Sequence, residues 1–334
     1  NIKIIIYNQV NILIPWNGLG RMHDKYVIAD DSLYILGGRN TFGYFLGDYA
    51  GHKNYDRDVL VYNTGSKDSS IYQIKDYYKK ITSQKCCSVF HYNESLGEKN
   101  SVKKAEQELK NRYESLENKY DKFLAENYDY KANTYETNKI NLLSNPTSLY
   151  AKQPTVYYGL MYLAKNAKKE VKIHTPYIIC NDYMYNELKN IKVPTTIMTN
   201  SAENNGNIFG AVDYLNHKKD IINTGVTIKE YEGGISYHGK SMTIDDDIAI
   251  VGSFNMDMRS AYIDTELMLV INSKDINKQL KASMEEYEKK AATVKNETEY
   301  SHIPEGMKMK ELSDKKKNIK AWFGWAMNGL RFLF

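Results

Sequence analysis

The sequence has few cysteines, no long apolar run and no strong excess of charge. Cys86, Cys87 and Cys180 are three in number and two are adjacent, which excludes a disulfide framework or a zinc-ligand spacing and fits a reducing compartment. No apolar run approaches the 18 or so residues that a membrane span needs, and no secretion signal opens the chain. The chain starts at Asn1, directly in strand-like sequence and without a methionine. An upstream segment is therefore expected, and a signal or anchor would belong there. Forty-five basic residues against 41 acidic give a net charge of +4, which permits a nucleic-acid groove or an anionic membrane contact without indicating either. The remaining composition, 42% hydrophobic and 26% charged, is ordinary for a soluble globular protein. A length of 334 residues gives room for one large α/β unit or two domains of roughly 150 residues.

One pattern occurs twice. HDKYVIADDSLYILGGRN begins at His23, and HGKSMTIDDDIAIVGSFN begins at His238, 238 − 23 = 215 residues later. Counted from each histidine, Lys25 and Lys240, Asp30 and Asp245, Gly37 and Gly252, and Asn40 and Asn255 fall at identical offsets. In each copy two short strands meet at an aspartate-rich turn.

Around the motifs, residues 2–7 and 58–62 read as strands, residues 71–81 as a helix, and residues 101–130 as a charged helix. The stripe of that charged helix, from Val102 through Leu109 and Tyr113 to Tyr120 and Phe123, is expected to pack along one face. Residues 133–154 read as a linker or surface loop. From residue 155 onward helices and strands alternate, which predicts a largely parallel sheet with helices on both faces. About 70 residues of this βα structure precede the strand at Thr227. The first half begins at the equivalent strand, so it is expected to be incomplete at its N-terminal side and to have an unprotected sheet edge. The expected divisions are 1–65 (part of a first half), 66–154 (helical connection and linker), 155–292 (second half) and 293–334 (tail). In the tail, four lysines precede Trp322 and Phe323. Ile319, Trp322, Phe323, Ala326, Leu330 and Phe334 form a helical face that either docks on the body or lies in a membrane surface.

The repeated residue types suit phosphoryl chemistry. A neutral imidazole can attack phosphorus. A lysine two residues along a strand lies on the same face, placing a fixed cation beside the reacting centre. Asparagine and serine add donors, so a tetrahedral phosphate would find its developing charge stabilised. The acidic clusters that Mg²⁺ or Ca²⁺ requires are missing, so the expectation is metal-independent phosphodiester chemistry with no cofactor. Two copies divide the work: one histidine attacks while the other protonates the departing oxygen and later deprotonates the incoming hydroxyl. Each histidine also needs an orienting carboxylate. Glu266 is expected behind His238, and Asp58, at the start of DVLVY, behind His23. Asp30 and Asp245 sit at turns and are expected to be structural. His52, His91, His174, His217 and His302 lack any partner pattern and carry no expected role.

These residues resemble the HxK(x)4D(x)6G[GS]xN signatures of the phospholipase D superfamily, and both copies match. GGRN, GSFNMDMRS, the TPY after His174, the TNS at Thr199 and the TEL after the second motif are similar to the bacterial cardiolipin synthase and phospholipase D-like branch. The resemblance covers residues 1–65 and 155–290. It implies an α/β fold of two pseudo-symmetric α/β/α halves packed face to face around one active site, and a covalent phosphatidyl-histidine intermediate. It implies His23 as nucleophile and His238 as acid/base, with Lys25, Lys240, Asn40, Asn255 and Ser253 holding the phosphoryl oxygens. Gly37, Gly38 and Gly252 shape the motifs, and Gly38 departs from the more common serine. The implied function is phosphatidyl transfer of cardiolipin synthase type. Phospholipase D hydrolysis is the alternative, and a nuclease the more distant one. The expected partners are a phospholipid and the cytoplasmic membrane surface, reached peripherally or through an upstream anchor. No stripe of basic and aromatic residues marks a nucleic-acid track, and nothing marks an oligomeric state.

Overall fold

The computed structural model describes residues 2–10, 13, 18–46, 53–91, 93–119, 129–323 and 329–333. The main sheet has nine strands, in the spatial order Tyr300–His302, Ala291–Val294, Thr227–Tyr231, Thr195–Asn200, Val171–His174, Ser241–Ile244, Ile248–Gly252, Leu267–Asn272 and Lys139–Ser144. Only the two neighbouring pairs among Val171–His174, Thr195–Asn200 and Thr227–Tyr231 are parallel; the other pairs are antiparallel. The sheet is therefore mixed rather than largely parallel. Helical crossovers give the parallel pairs, whereas the tight turn at Asp245–Asp247 forces its two strands antiparallel.

Strand alternation lets this sheet serve two cores. On Leu267–Asn272, Met268 joins a cluster with the helices Thr155–Lys165 and Asp182–Lys189. Leu267, Leu269 and Ile271 join a second cluster with Tyr34, Leu36 and Val61 of the first half. Helices Ser70–Thr82 and Lys274–Glu288 complete that second cluster, through Ile71, Ile74, Ile81, Leu280 and Met284. The first half's own sheet has the order Lys25–Ala29, Leu33–Gly37, Asp58–Tyr62, so its inner face packs directly on the second half.

Three further expectations differ from the structure. Residues 139–144, read as linker, form an edge strand paired with Leu267–Asn272. Prolines 146 and 154 lie beyond its end and leave its ladder intact. Residues 291–294, across the expected boundary at 292, and 300–302, in the expected tail, extend the opposite edge of the sheet. The charged helix, Asn100–Lys119, leaves Leu109 68% and Tyr113 60% exposed, so its stripe stays open at these two positions, while Val102 and Leu116 are half-buried. Tyr120 and Phe123 lie outside the described residues.

In the tail, helix Asp314–Phe323 docks through Lys316, whose Nζ donates to the carbonyls of Ala202, Glu203 and Asn205. Trp322 is 81% exposed; Ala326 and Phe334 lie outside the described residues. Among the described residues no helix is long and apolar enough to cross a membrane.

Candidate active site

Each histidine is delivered by a short parallel bridge to the other half. Met22 pairs with Thr265, Thr265 N donates to Arg21 O and His23 N to Thr265 Oγ1. The mirror arrangement is Ser236–Tyr237 parallel to Asn54–Tyr55, with His238 N donating to Tyr55 O. The residue after each bridge is a carboxylate. His23 Nδ1 therefore lies 2.9 Å from Glu266 Oε1, and His238 Nδ1 lies 2.6 Å from Asp56 Oδ2. The carboxylates cross over: each half orients the histidine of the other.

This corrects two expectations. Glu266 stands behind His23, where Asp58 was expected, and the partner of His238 is Asp56 rather than Glu266. The sheet register shows why. Gly37 pairs with Asp58, and Gly252 with Met268. Asp58 is thus the counterpart of Met268, and Asp56, two residues earlier, the counterpart of Glu266. Aligning DRDVLVY with ELMLVIN would have revealed this; the regular strand beginning at Asp58 hid it. Asp58 instead holds Arg39, accepting from its Nε at 2.6 Å, while Arg39 also donates to the carbonyls of Phe45 and Asp56. It braces the loop that carries Asp56.

The carboxylates are buried and differently supported. Burial pushes Glu266 up to about 7, against the pull of Lys25, Ser253 and Ser260. Ser260 Oγ donates to Oε1 at 2.6 Å, and Ser253 Oγ donates to Oε2. The Ser253 hydroxyl, expected on a phosphoryl oxygen, is thus committed to Glu266. Burial also pushes Asp56 upward, but Lys240, His238 and the Arg57 amide outweigh it and hold it below the usual carboxylate value. Gly38, the departure from serine, has its reason here. A Cβ at that position would lie 2.5 Å from Asp56 Oδ1 and 3.0 Å from Lys240 Cδ.

Both imidazoles are held neutral. Burial, then Lys25 and Lys240, lowers His23 well below its ordinary value. Burial, then Lys240, lowers His238 to about 3. With Nδ1–H donating to a carboxylate, each Nε2 carries the lone pair that a nucleophile needs. The side chains remain 24% and 17% exposed, enough for a ligand to reach them. The lysines supply the positive field. Lys240 is buried, its Nζ 2.6 Å from His238 Nδ1 and 3.8 Å from Asp56. Lys25 Nζ donates to His23 O, and burial lowers it to about 8.

Asn255 Nδ2 donates to Tyr177 OH at 3.1 Å, while its Oδ1 is buried without a partner. Asn40 is half-buried just beyond the strand Leu33–Gly37. Asp30 and Asp245 lie away from the histidines, at the turns, both with left-handed backbone (φ +49° and +52°). Asp245 accepts from the N–H groups of Lys168, Lys169 and Glu170. His174, assigned no role, joins Tyr237 OH to Glu288 within the core. The sequence reading also missed Phe45, whose ring meets His238 edge-on at 4.9 Å, and Arg57, which donates to Tyr237 OH, Ser241 and Ser283.

Residues 160–287 match the family described as cardiolipin synthase, PLD-like domain. The chain is 25% identical over 296 residues to an uncharacterized protein of Helicobacter pylori, covering 80% of this chain and 57% of that one. It is 30% identical over 159 residues to cardiolipin synthase 1 of Staphylococcus epidermidis, covering 47% and 32%. The chain thus spans little more than half, or less, of these relatives. The crystal structure of phosphatidylserine synthase from Haemophilus influenzae Rd KW20 superimposes with a TM-score of 0.62 at 15% identity, over 95% of this chain and 72% of that one, so the two share a fold.

Proposed function

We propose, from the premise that the chain belongs to the phospholipase D superfamily, that it transfers phosphatidyl groups without a metal, in the manner of a cardiolipin synthase. One observation carries the reading: two neutral histidines, each held by a carboxylate from the opposite half, with Lys25 and Lys240 beside them. A phosphodiester placed there meets a nucleophile on one side and an acid/base on the other.

In the first step His238 has taken up a proton at Nε2 as the anionic phosphodiester binds beside it; His23 Nε2 bonds to phosphorus, the P–O bond to the headgroup alcohol breaks, and His238 gives that proton to the departing oxygen and becomes neutral. In the second step His238 takes a proton from a hydroxyl of phosphatidylglycerol. That oxygen bonds to phosphorus, the P–N bond breaks, and His23 is regenerated. Lys25, Lys240, Asn40 and the Asn255 amide bind the phosphoryl oxygens. The lipid is reached at a membrane surface, where the exposed Trp322 with the exposed Lys315, Lys317 and Lys320 is suited to an anionic interface.

The test is incubation with phosphatidylglycerol vesicles in excess chelator, followed by lipid chromatography. Cardiolipin and glycerol are the expected products. Phosphatidic acid alone, with phosphatidylglycerol in excess, would replace the transferase by a hydrolase. Acid-labile lipid attachment at His238 instead of His23 would reverse the two roles.

A further inference from the structure

The strand that delivers His238, Ser236–Tyr237, pairs only with the two residues Asn54–Tyr55. So short a bridge fixes little by itself, and the rest of its support comes from residues 200–206. Asn200 clips Tyr237 at both main-chain groups. Tyr237 N donates to Asn200 Oδ1 at 2.8 Å, and Asn200 Nδ2 donates to Tyr237 O at 2.7 Å. Asn204 Nδ2 donates to Ile235 O at 3.2 Å and to Asn200 Oδ1 at 3.1 Å, and Gly206 N donates to Ser236 Oγ at 3.3 Å. Ile235, Ser236 and Tyr237, which lead directly into His238, are thus each held from the same segment.

That segment is shaped around a cation. The carbonyls of Ala202, Glu203 and Asn205 converge on one point, where three oxygens repel one another and need a shared donor. Lys316 of the helix Asp314–Phe323 supplies it, its Nζ donating to them at 2.8, 2.6 and 3.0 Å. Each ammonium proton has one acceptor, and Lys316 is 7% exposed. Lys315, Lys317 and Lys320 on the same helix are exposed, so of these four lysines Lys316 alone turns inward. One bond would anchor a helix; three carbonyls of a short loop around one ammonium form a cation site whose cation is tethered. We propose that Lys316 is a positioning residue for the reaction: its ammonium sets the shape of residues 200–206, and these set the place of His238. Lys316 touches no substrate, and its role rests on the reading of His238 as the acid/base.

The test uses the full chain, its Lys316→Ala variant and n-propylammonium, which replaces the atoms that the substitution removes. Lys316→Ala is expected to lower kcat for cardiolipin formation about 10- to 100-fold, with KM for phosphatidylglycerol vesicles unchanged. Hydrogen exchange at the amides of Tyr237 and His238 is expected to quicken. n-Propylammonium should restore both, and 1-propanol neither. Should Lys316→Ala fail to fold, Lys316→Met keeps the stem, loses the ammonium and carries the same expectations for kcat and exchange. Exchange is read without substrate, so it tests the support of His238 whatever the reaction; a wild type that forms no cardiolipin would count against the phosphatidyl transfer alone. Unaltered exchange at the two amides in the folded variant would overturn the proposal. A raised KM at unchanged kcat would do the same, leaving Lys316 as an anchor of the tail helix. Equal rescue by 1-propanol would also overturn it, since filled space rather than charge would then shape the loop.

Discussion

Asp56 and Asp58 lie only two residues apart yet are bound to different partners, His238 and Arg39. Asp56→Asn should lower turnover about 100- to 10,000-fold, because the imidazole loses the acceptor that fixes its tautomer. Asp58→Asn should mainly loosen the Arg39 brace and cost far less; equal losses in kcat would show the assignment to be wrong. Glu266 allows a test by pH. Its folded pKa of about 7 lies above its ordinary value of 4.5, so between those values the folded state binds more proton than the unfolded chain. Stability from this group is present at pH 4.5 and is lost as pH rises through 7. His238 acts in the opposite sense, its folded pKa of about 3 lying below 6.5, so its contribution is lost as pH falls. The difference between wild type and Glu266→Gln isolates the first effect. Relative to the variant, the wild type should lose a few degrees of Tm between pH 5 and pH 8, while Glu266→Gln loses most activity at both. Parallel Tm curves would contradict the buried-carboxylate account.

Among the elements, the two motif hairpins and the helices after residue 155 are legible in the sequence because period and punctuation coincide there. Asp245 is an example: a turn aspartate at the motif offset proves to accept three backbone N–H groups. Asp245→Ala should cost about 1–3 kcal/mol in urea unfolding and leave kcat unchanged, since Asp245 lies beyond the far end of the strand Ser241–Ile244 from His238, roughly 20 Å along the chain. What could not be read was pairing across long sequence gaps. KINLLS is short and flanked by polar residues and prolines; only the edge of Leu267–Asn272 makes it a strand. The exchanged carboxylates were hidden for the same reason. Two parallel bridges decide them, and neither has a local signature. The Asn100–Lys119 stripe failed in the reverse direction, since periodicity supplied a face that the described fold leaves open at Leu109 and Tyr113.

At the scale of the whole molecule, the first half has no core separate from the second. Leu269 lies between them, fully buried among residues of both. Leu269→Ala should cost about 2–5 kcal/mol and lower the midpoint of one cooperative transition; two resolved transitions would mean that the halves fold independently.

The crossed carboxylates also have a consequence in time. During synthesis His23 leaves the ribosome 243 residues before Glu266, and Asp56 must wait 182 residues for His238. Until Glu266 has emerged, His23 has no carboxylate to set its tautomer, and no nascent intermediate contains both histidine–carboxylate pairs. The exchange acts as a delay, keeping the chemistry silent until the second half has closed on the first.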